Sequence, residues 1–273
     1  MINSLSYLLN IRIFLNLIPV NFRAGFFYRF FFRKAEKRDY LFKSATLEFN
    51  KSINMNLSKS DKCHQLIAYT GFFELHLTRK FVEIASHGGH FIDVGANYGY
   101  YSLLWAGARN GNSVLAIEAV PTNAKKLEEN VALNEFGKWI SVLALALGKK
   151  KEQMFFDLVE ESQTTWGGLS ISKATGYEVE VVTLDSVCDP QKTINLLKID
   201  VEGAEFWVLQ GAVNLLKMRK IKNIFFEENL ERQEKLMIHA GAAKRLLEGY
   251  GYTVVQLNKN SSPVSEYHAF LKL

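Results

Sequence analysis

Residues 90–102 read HFIDVGANYGYYS, and this stretch decides the fold. Residues 90–94 are a short, largely apolar run suited to a buried strand. Gly95, Asn97 and Gly99 then break it, and 100–109 has helical composition up to the stop at Asn110-Gly111. A glycine-rich turn from strand into helix lets backbone approach a ligand and presents the free N–H groups of the helix start. Such a turn suits a nucleotide-like cofactor.

The pattern repeats outward from this turn. Upstream, 74–86 reads as a helix that stops at Gly88-Gly89. Downstream, 113–117 is a second strand ending in Glu118, where a carboxylate can accept both hydrogen bonds of a ribose diol. A helix at 121–134, opened by Pro121 and closed by Gly137, leads to a third strand at 140–146. Strands alternating with helices at this spacing imply right-handed crossovers, a parallel sheet and a ligand at the carboxyl ends of the strands.

Residues 153–158 and 178–184 depart from the rhythm as strands of a hairpin or edge, separated by the polar segment SQTTWGGLS at 162–170. Regularity returns with a strand at 194–199 ending in Asp200-Val201-Glu202-Gly203, a helix at 204–218, and a strand at 223–226 ending in Glu227-Glu228-Asn229. A helix to 248, a strand at 252–257 and a last strand at 268–273 complete the chain.

Composition sets the outer bounds. The chain has 273 residues, 48% of them hydrophobic and 22% charged, with 18 Gly and 4 Pro, so it folds as one large domain or a domain with an appendage. Its 2 cysteines, Cys63 and Cys188, show no metal-binding spacing and suit a reducing compartment. Charge is unevenly placed. Residues 1–50 carry eight Lys or Arg against three acids, and the remainder is balanced at 25 of each. A neutral body argues against a nucleic-acid partner. The first fifth of the chain is basic and aromatic, with no apolar run near the ~20 residues that span a bilayer. Two readings stay open for it: peripheral membrane contact through residues 1–45, or helices packed on the body. We expect a helical extension at 1–60, a catalytic domain at 61–273, and a cytoplasmic enzyme at the inner membrane surface.

The cofactor turn is G-x-N-x-G, with Asn97 at the second glycine position of the dinucleotide pattern and Tyr100 at the third. This weighs against an NAD-dependent oxidoreductase on a Rossmann sheet. A non-catalytic binding module is a second rival, disfavoured by Asp93, Glu118, Asp200 and Glu202 occurring together.

The segments FIDVGANYGYYS, LAIEAVP, VVTLDSV and LLKIDVEGAEFWVLQGA, in this order and spacing, resemble the FkbM family of S-adenosylmethionine-dependent methyltransferases. The resemblance runs from about residue 91 onward and leaves out 1–60. It implies an α/β class I methyltransferase fold: a Rossmann-like sheet of seven strands in the order 3-2-1-4-5-7-6, the last antiparallel. It further implies that Asp93, Gly95, Ala96, Asn97 and Gly99 surround the methionine part of S-adenosyl-L-methionine. Glu118 would bind the ribose, and Ala146 and Leu147 would lie beside the adenine. The implied reaction is O-methylation of a sugar, glycan or lipid-linked saccharide, or of a small-molecule acceptor.

An alcohol is a poor nucleophile until its proton is withdrawn, and a strand-end carboxylate can do this. Asp200, Glu202 and Glu227 are the candidates. Asp200 and Glu227 end neighbouring strands in the implied order, so they are also candidates to hold Mg²⁺ against the acceptor hydroxyl. In the metal-free alternative Glu227 faces the acceptor as the base and Glu228 points to solvent.

Overall fold

The computed structural model describes residues 11–32, 42–158, 167–171, 176–258 and 264–272. After a helical stretch at 11–16, the chain forms α1 (Val20–Phe27), β1 (Ser44–Leu47), β2 (Asn50–Asn56), α2 (Lys62–Thr70), α3 (Leu75–Ser86), β3 (His90–Val94) and α4 (Tyr100–Ala108). Next come β4 (Ser113–Ile117), α5 (Pro121–Leu133), β5 (Ile140–Leu143), β6 (Ala146–Leu147), β7 (Glu152–Leu158), β8 (Gly167–Ser170), β9 (Tyr177–Val182) and α6 (Leu184–Val187). The last part holds β10 (Leu196–Ile199), α7 (Glu205–Gln210), α8 (Val213–Lys217), β11 (Asn223–Asn229), α9 (Leu230–Lys235), α10 (Ala242–Gly249), β12 (Tyr252–Gln256) and β13 (Val264–Leu271).

Seven strands form the main sheet in the order β12-β13-β11-β10-β3-β4-β5. The run from β11 to β5 is parallel, and β13 lies antiparallel to both β11 and β12. Counted along the chain from the β5 edge, this is 3-2-1-4-5-7-6. The central strands are apolar on both faces because helices cover both. Alternate residues serve opposite layers: Phe91 and Leu196 pack with Phe81, Trp105 and Leu127, while Ile92, Val94, Leu197 and Ile199 pack with Leu209 and Leu247. Each such side chain contributes roughly 1.5–3 kcal/mol by leaving water.

The expected helices at 204–218 and up to 248 are each broken in two, the last strand runs over Val264–Leu271 rather than 268–273, and two further differences are larger. The third strand stops at Leu143, and Ala146–Leu147 leaves the main sheet to pair in parallel with β9 in a four-stranded sheet, β6-β9-β7-β8. Its β8 is built from the end of the polar segment at 162–170 that separates β7 from β9.

The second difference is at the N-terminus. Against the expected helical extension to residue 60, β1 and β2 form an antiparallel hairpin whose Ala45, Leu47, Ile53 and Met55 are buried in the same core as Phe81 and Leu103. The cause is the period-2 alternation of N-K-S-I-N-M-N, which buries Ile53 and Met55 and exposes Lys51 and Asn54. Reciprocal amide bonds tie the hairpin down: Asn56 N–H donates to Asn130 Oδ1 (2.7 Å), and Asn54 N–H to Asn134 Oδ1 (2.9 Å). Upstream, α1 stacks Phe27 on Tyr69 of α2 with 4.7 Å between ring centroids. Two N-terminal arginines turn inward: Arg23 pairs with Glu48 at 2.7 Å, and Arg12 donates to the Thr46 carbonyl.

Candidate active site

The turn between β3 and α4 is pinned to the end of β4. The N–H groups of Gly95 and Ala96 both donate to the Ile117 carbonyl, at 2.9 and 3.1 Å. Gly95 has φ +80°, and a Cβ there would stand 1.9 Å from the Asp200 carbonyl oxygen, so only glycine lets the chain after β10 pass this close. Asn97 is also left-handed, at φ 49°, and its Oδ1 accepts from the Tyr98 N–H at 2.7 Å. Asn97 N–H donates to Glu118 Oε2 (2.7 Å) and Val120 N–H to Glu118 Oε1 (2.9 Å). Burial pushes the Glu118 carboxyl up to about 7 despite these bonds. Asp93 is 1% exposed; its Oδ2 accepts from the Ser102 hydroxyl (2.7 Å), while Oδ1 has no partner among the described residues.

These groups face a cavity of about 460 Å³. Asp93, Gly95, Ala96, Asn97 and Glu118 form one wall, the apolar Ala146 and Leu147 another, and Asp200, Glu202 and Glu227 a third. Gly99 is not in the lining: a Cβ on it would meet Leu127 Cδ1 at 2.2 Å, so it seats the turn on α5. Gly167 and Leu169 of β8 also line the cavity. Residues 162–166, with Trp166, lie outside the described residues.

The acidic wall holds a lysine. Lys198 is 4% exposed on the central strand β10, and its Nζ donates to Asp200 Oδ2 at 2.6 Å while lying 4.8 Å from the Tyr101 ring centroid. Burial alone would lower the Lys198 pKa, but Asp200, Glu74 and Asp93 outweigh it and raise it, so the ammonium stays charged. Glu74, strained at φ 40° before α3, accepts from the Tyr101 hydroxyl at 2.8 Å and is pushed up to about 7 by burial. Glu202 accepts from Asn229 Nδ2 at 3.3 Å and is also pushed up to about 7, by burial and then by Asp200. Glu227 is pushed furthest, to about 10, by burial and the neighbouring carboxylates, so it carries its proton at neutral pH. Glu228 turns away from the cavity and is buried (3% exposed), not directed to solvent. The acid that fastens the turn before α7 is Glu205, whose Oε1 accepts from the N–H groups of Val201 and Gly203, and this leaves Glu202 facing the cavity.

The methyltransferase FkbM domain matches residues 93–254 of this chain. The chain belongs to the FkbM family. It is an S-adenosylmethionine-dependent methyltransferase. No curated protein matches it. Solved structures similar to this FkbM chain include a precorrin-6y C5,15-methyltransferase from Geobacter metallireducens GS-15, at 13% identity and a TM-score of 0.43 over 73% of this chain and 89% of that one. The N-terminal domain of human METTL16 in complex with SAH matches at 13% identity and a TM-score of 0.42, over 72% of this chain and 69% of that chain. A putative O-methyltransferase from Klebsiella pneumoniae matches at 12% identity and a TM-score of 0.40, over 71% and 80%.

Mg²⁺, for which Asp200 and Glu227 were candidates beside a metal-free alternative, does not fit this FkbM site. Among the described residues no three His, Cys, Asp or Glu side chains converge to hold a metal ion. The ammonium of Lys198 already balances the Asp200 charge through Oδ2, so Asp200 has its cation within the chain. Lys198 and Glu74 were not singled out in the sequence. Lys198 could have been, since it lies two residues before Asp200 on a strand and so shares its face. Glu74 offers no such signal, because only the packing of α3 against α4 brings it to Tyr101.

Proposed function

We propose that this enzyme transfers a methyl group from S-adenosyl-L-methionine to a hydroxyl of a sugar, glycan or lipid-linked saccharide. The carrying observation is the single cavity that joins the glycine turn and Glu118 to the acidic strand ends. The residues fit the cofactor. Asp93, with a buried oxygen free to accept, and the Gly95–Asn97 backbone would hold the amino-acid part, Glu118 the ribose, and Ala146 and Leu147 the adenine. Gly99 acts from behind, by closing the turn. When bound, the cofactor supplies a methyl group on a sulfonium centre.

The chain's own residues align the acceptor and receive its proton. Glu202, pushed up to about 7, is basic enough to take that proton, whereas Glu227 begins protonated and donates a hydrogen bond to the acceptor. Asp200, held by Lys198, accepts from a second hydroxyl. A wall so rich in acceptors matches a polyol and disfavours a phosphate-bearing acceptor such as nucleic acid.

The N-terminal layer supports work at an anionic membrane surface. Leu17 is 79% exposed and Phe22 65%, with Ile13, Phe14, Tyr28 and Phe30 also at the surface. Residues 1–35 hold no acid and five Lys or Arg, of which Arg12 and Arg23 are engaged with Thr46 and Glu48, so Arg29, Arg33 and Lys34 are the bases left to the segment. An apolar, aromatic face inside a purely basic segment is complementary to an anionic bilayer. Among the described residues no helix is long and apolar enough to cross a membrane.

Calorimetric titration with S-adenosylmethionine and NAD⁺ tests the cofactor assignment. Binding of the first alone is expected, and binding of NAD⁺ alone would restore the oxidoreductase reading.

A further inference from the structure

His64 precedes the matched domain and belongs to none of the sequence motifs, yet it lines the cavity. It sits in the first turn of α2, 2% exposed, where Asp61 fixes the helix start by accepting from the N–H groups of Cys63 and His64. The Ser58 N–H donates to His64 Nδ1 at 3.1 Å, which places the ring proton on Nε2. Nε2 lies 3.1 Å from Asn97 Oδ1 and therefore donates to it. The ring also packs on Tyr98, with 4.4 Å between centroids. Burial lowers the imidazole pKa, which favours the neutral form that accepts at one nitrogen and donates at the other.

Asn97 is the residue that needs such a hold. Three positions of the turn, Gly95, Asn97 and Gly99, have positive φ, and Asn97 is the one with a side chain. Its Oδ1 accepts from both Tyr98 N–H and His64, and its own N–H donates to Glu118 Oε2. His64, Asn97 and Glu118 thus form one hydrogen-bonded chain across three elements: α2, the turn and the end of β4.

We propose that His64 is a positioning residue for the cofactor: it locks the Asn97 side chain, and through Asn97 it aims the Glu118 carboxylate into the cavity. The proposal rests on the cofactor reading above. It makes cofactor affinity depend on α2, a helix outside the matched domain. The other face of α2 carries Leu66 and Tyr69 against Ile11, Leu15 and Phe27, so the helix that bears the N-terminal layer also holds the cofactor turn.

The test is calorimetric titration of the full-length chain with S-adenosylhomocysteine, beside thermal unfolding of each variant. His64→Asn keeps an acceptor for Ser58 but is too short to reach Asn97, and about tenfold weaker binding is expected. His64→Gln places an amide N–H near the position of Nε2 and should bind within about threefold of wild type. Asn97→Ala weakens binding by itself, and adding His64→Asn to it should weaken it no further, because the two act through one contact. The proposal is overturned by His64→Asn binding as wild type does, by losses that multiply in the double variant, or by both His64 variants losing stability and affinity alike. A wild-type chain that binds neither S-adenosylmethionine nor S-adenosylhomocysteine overturns the cofactor reading itself, and this inference with it.

Discussion

Glu118 accepts two backbone N–H bonds and one from the Asn123 side chain, and its carboxyl lines the cavity beside the glycine turn. Glu118→Ala should weaken S-adenosylmethionine binding by on the order of 2–4 kcal/mol, the loss of two charge-assisted bonds. Unchanged affinity by calorimetry contradicts the assignment. The buried acids also set a pH dependence. Glu74, Glu118 and Glu202 are pushed up to about 7, Glu205 to about 8 and Glu227 to about 10, from an ordinary value of 4.5. Between pH 7 and 8.5 the folded chain therefore holds protons that the unfolded chain has released, and stability falls as pH rises. His90 and His268, pushed down to about 4 from 6.5, act below this window. The Tm of the ligand-free chain should drop from pH 7 to 8.5, less steeply in Glu227→Gln; a Tm rising over that range is the opposing result. At this scale, Asp93, Glu118 and Asp200 were legible because strand ends and glycine turns leave local marks. The protonation of Glu227 was not, since it depends on burial and on carboxylates from other elements.

At the scale of elements, the β3–α4 turn and the N-terminal hairpin carry opposite lessons. Gly95 stands out in sequence as a strand breaker, and the structure adds the reason: the Asp200 carbonyl lies where a Cβ would be. Gly95→Ala should lose about 1–3 kcal/mol through strained backbone alone, more through the clash, and bind cofactor weakly. Chemical denaturation and calorimetry together check this. The β1–β2 hairpin was hidden because a short alternation of small and polar residues looks like irregular chain until Ile53 and Met55 find the core. Ile53→Ala, at a fully buried site, should cost about 2–5 kcal/mol of stability. A loss below 1 kcal/mol in denaturant would mean that the hairpin is an ornament on the body. The third strand was drawn three residues too long for a related reason: 140–146 is one apolar run, but the chain changes sheets within it.

For the molecule as a whole, charge and apolar exposure coincide at the N-terminal layer, while the cavity lies at the carboxyl ends of the sheet. Paired substitution Leu17→Asp and Phe22→Asp touches neither the core nor the cavity. It should abolish sedimentation with phosphatidylserine vesicles while leaving cofactor affinity unchanged. Sedimentation equal to that of wild type contradicts membrane contact through this face. The central claim, methyl transfer to a sugar hydroxyl, has one direct measurement. The enzyme is incubated with S-adenosylmethionine labelled in the methyl group and with glycan and glycolipid extracts of its source cells, and label is followed into saccharide. The account predicts label in an alkali-stable methyl ether on sugar, lost in Glu118→Ala and strongly reduced in Glu202→Gln. Transfer only to protein, nucleic acid or a nitrogen atom, or transfer unaffected by both substitutions, would contradict it.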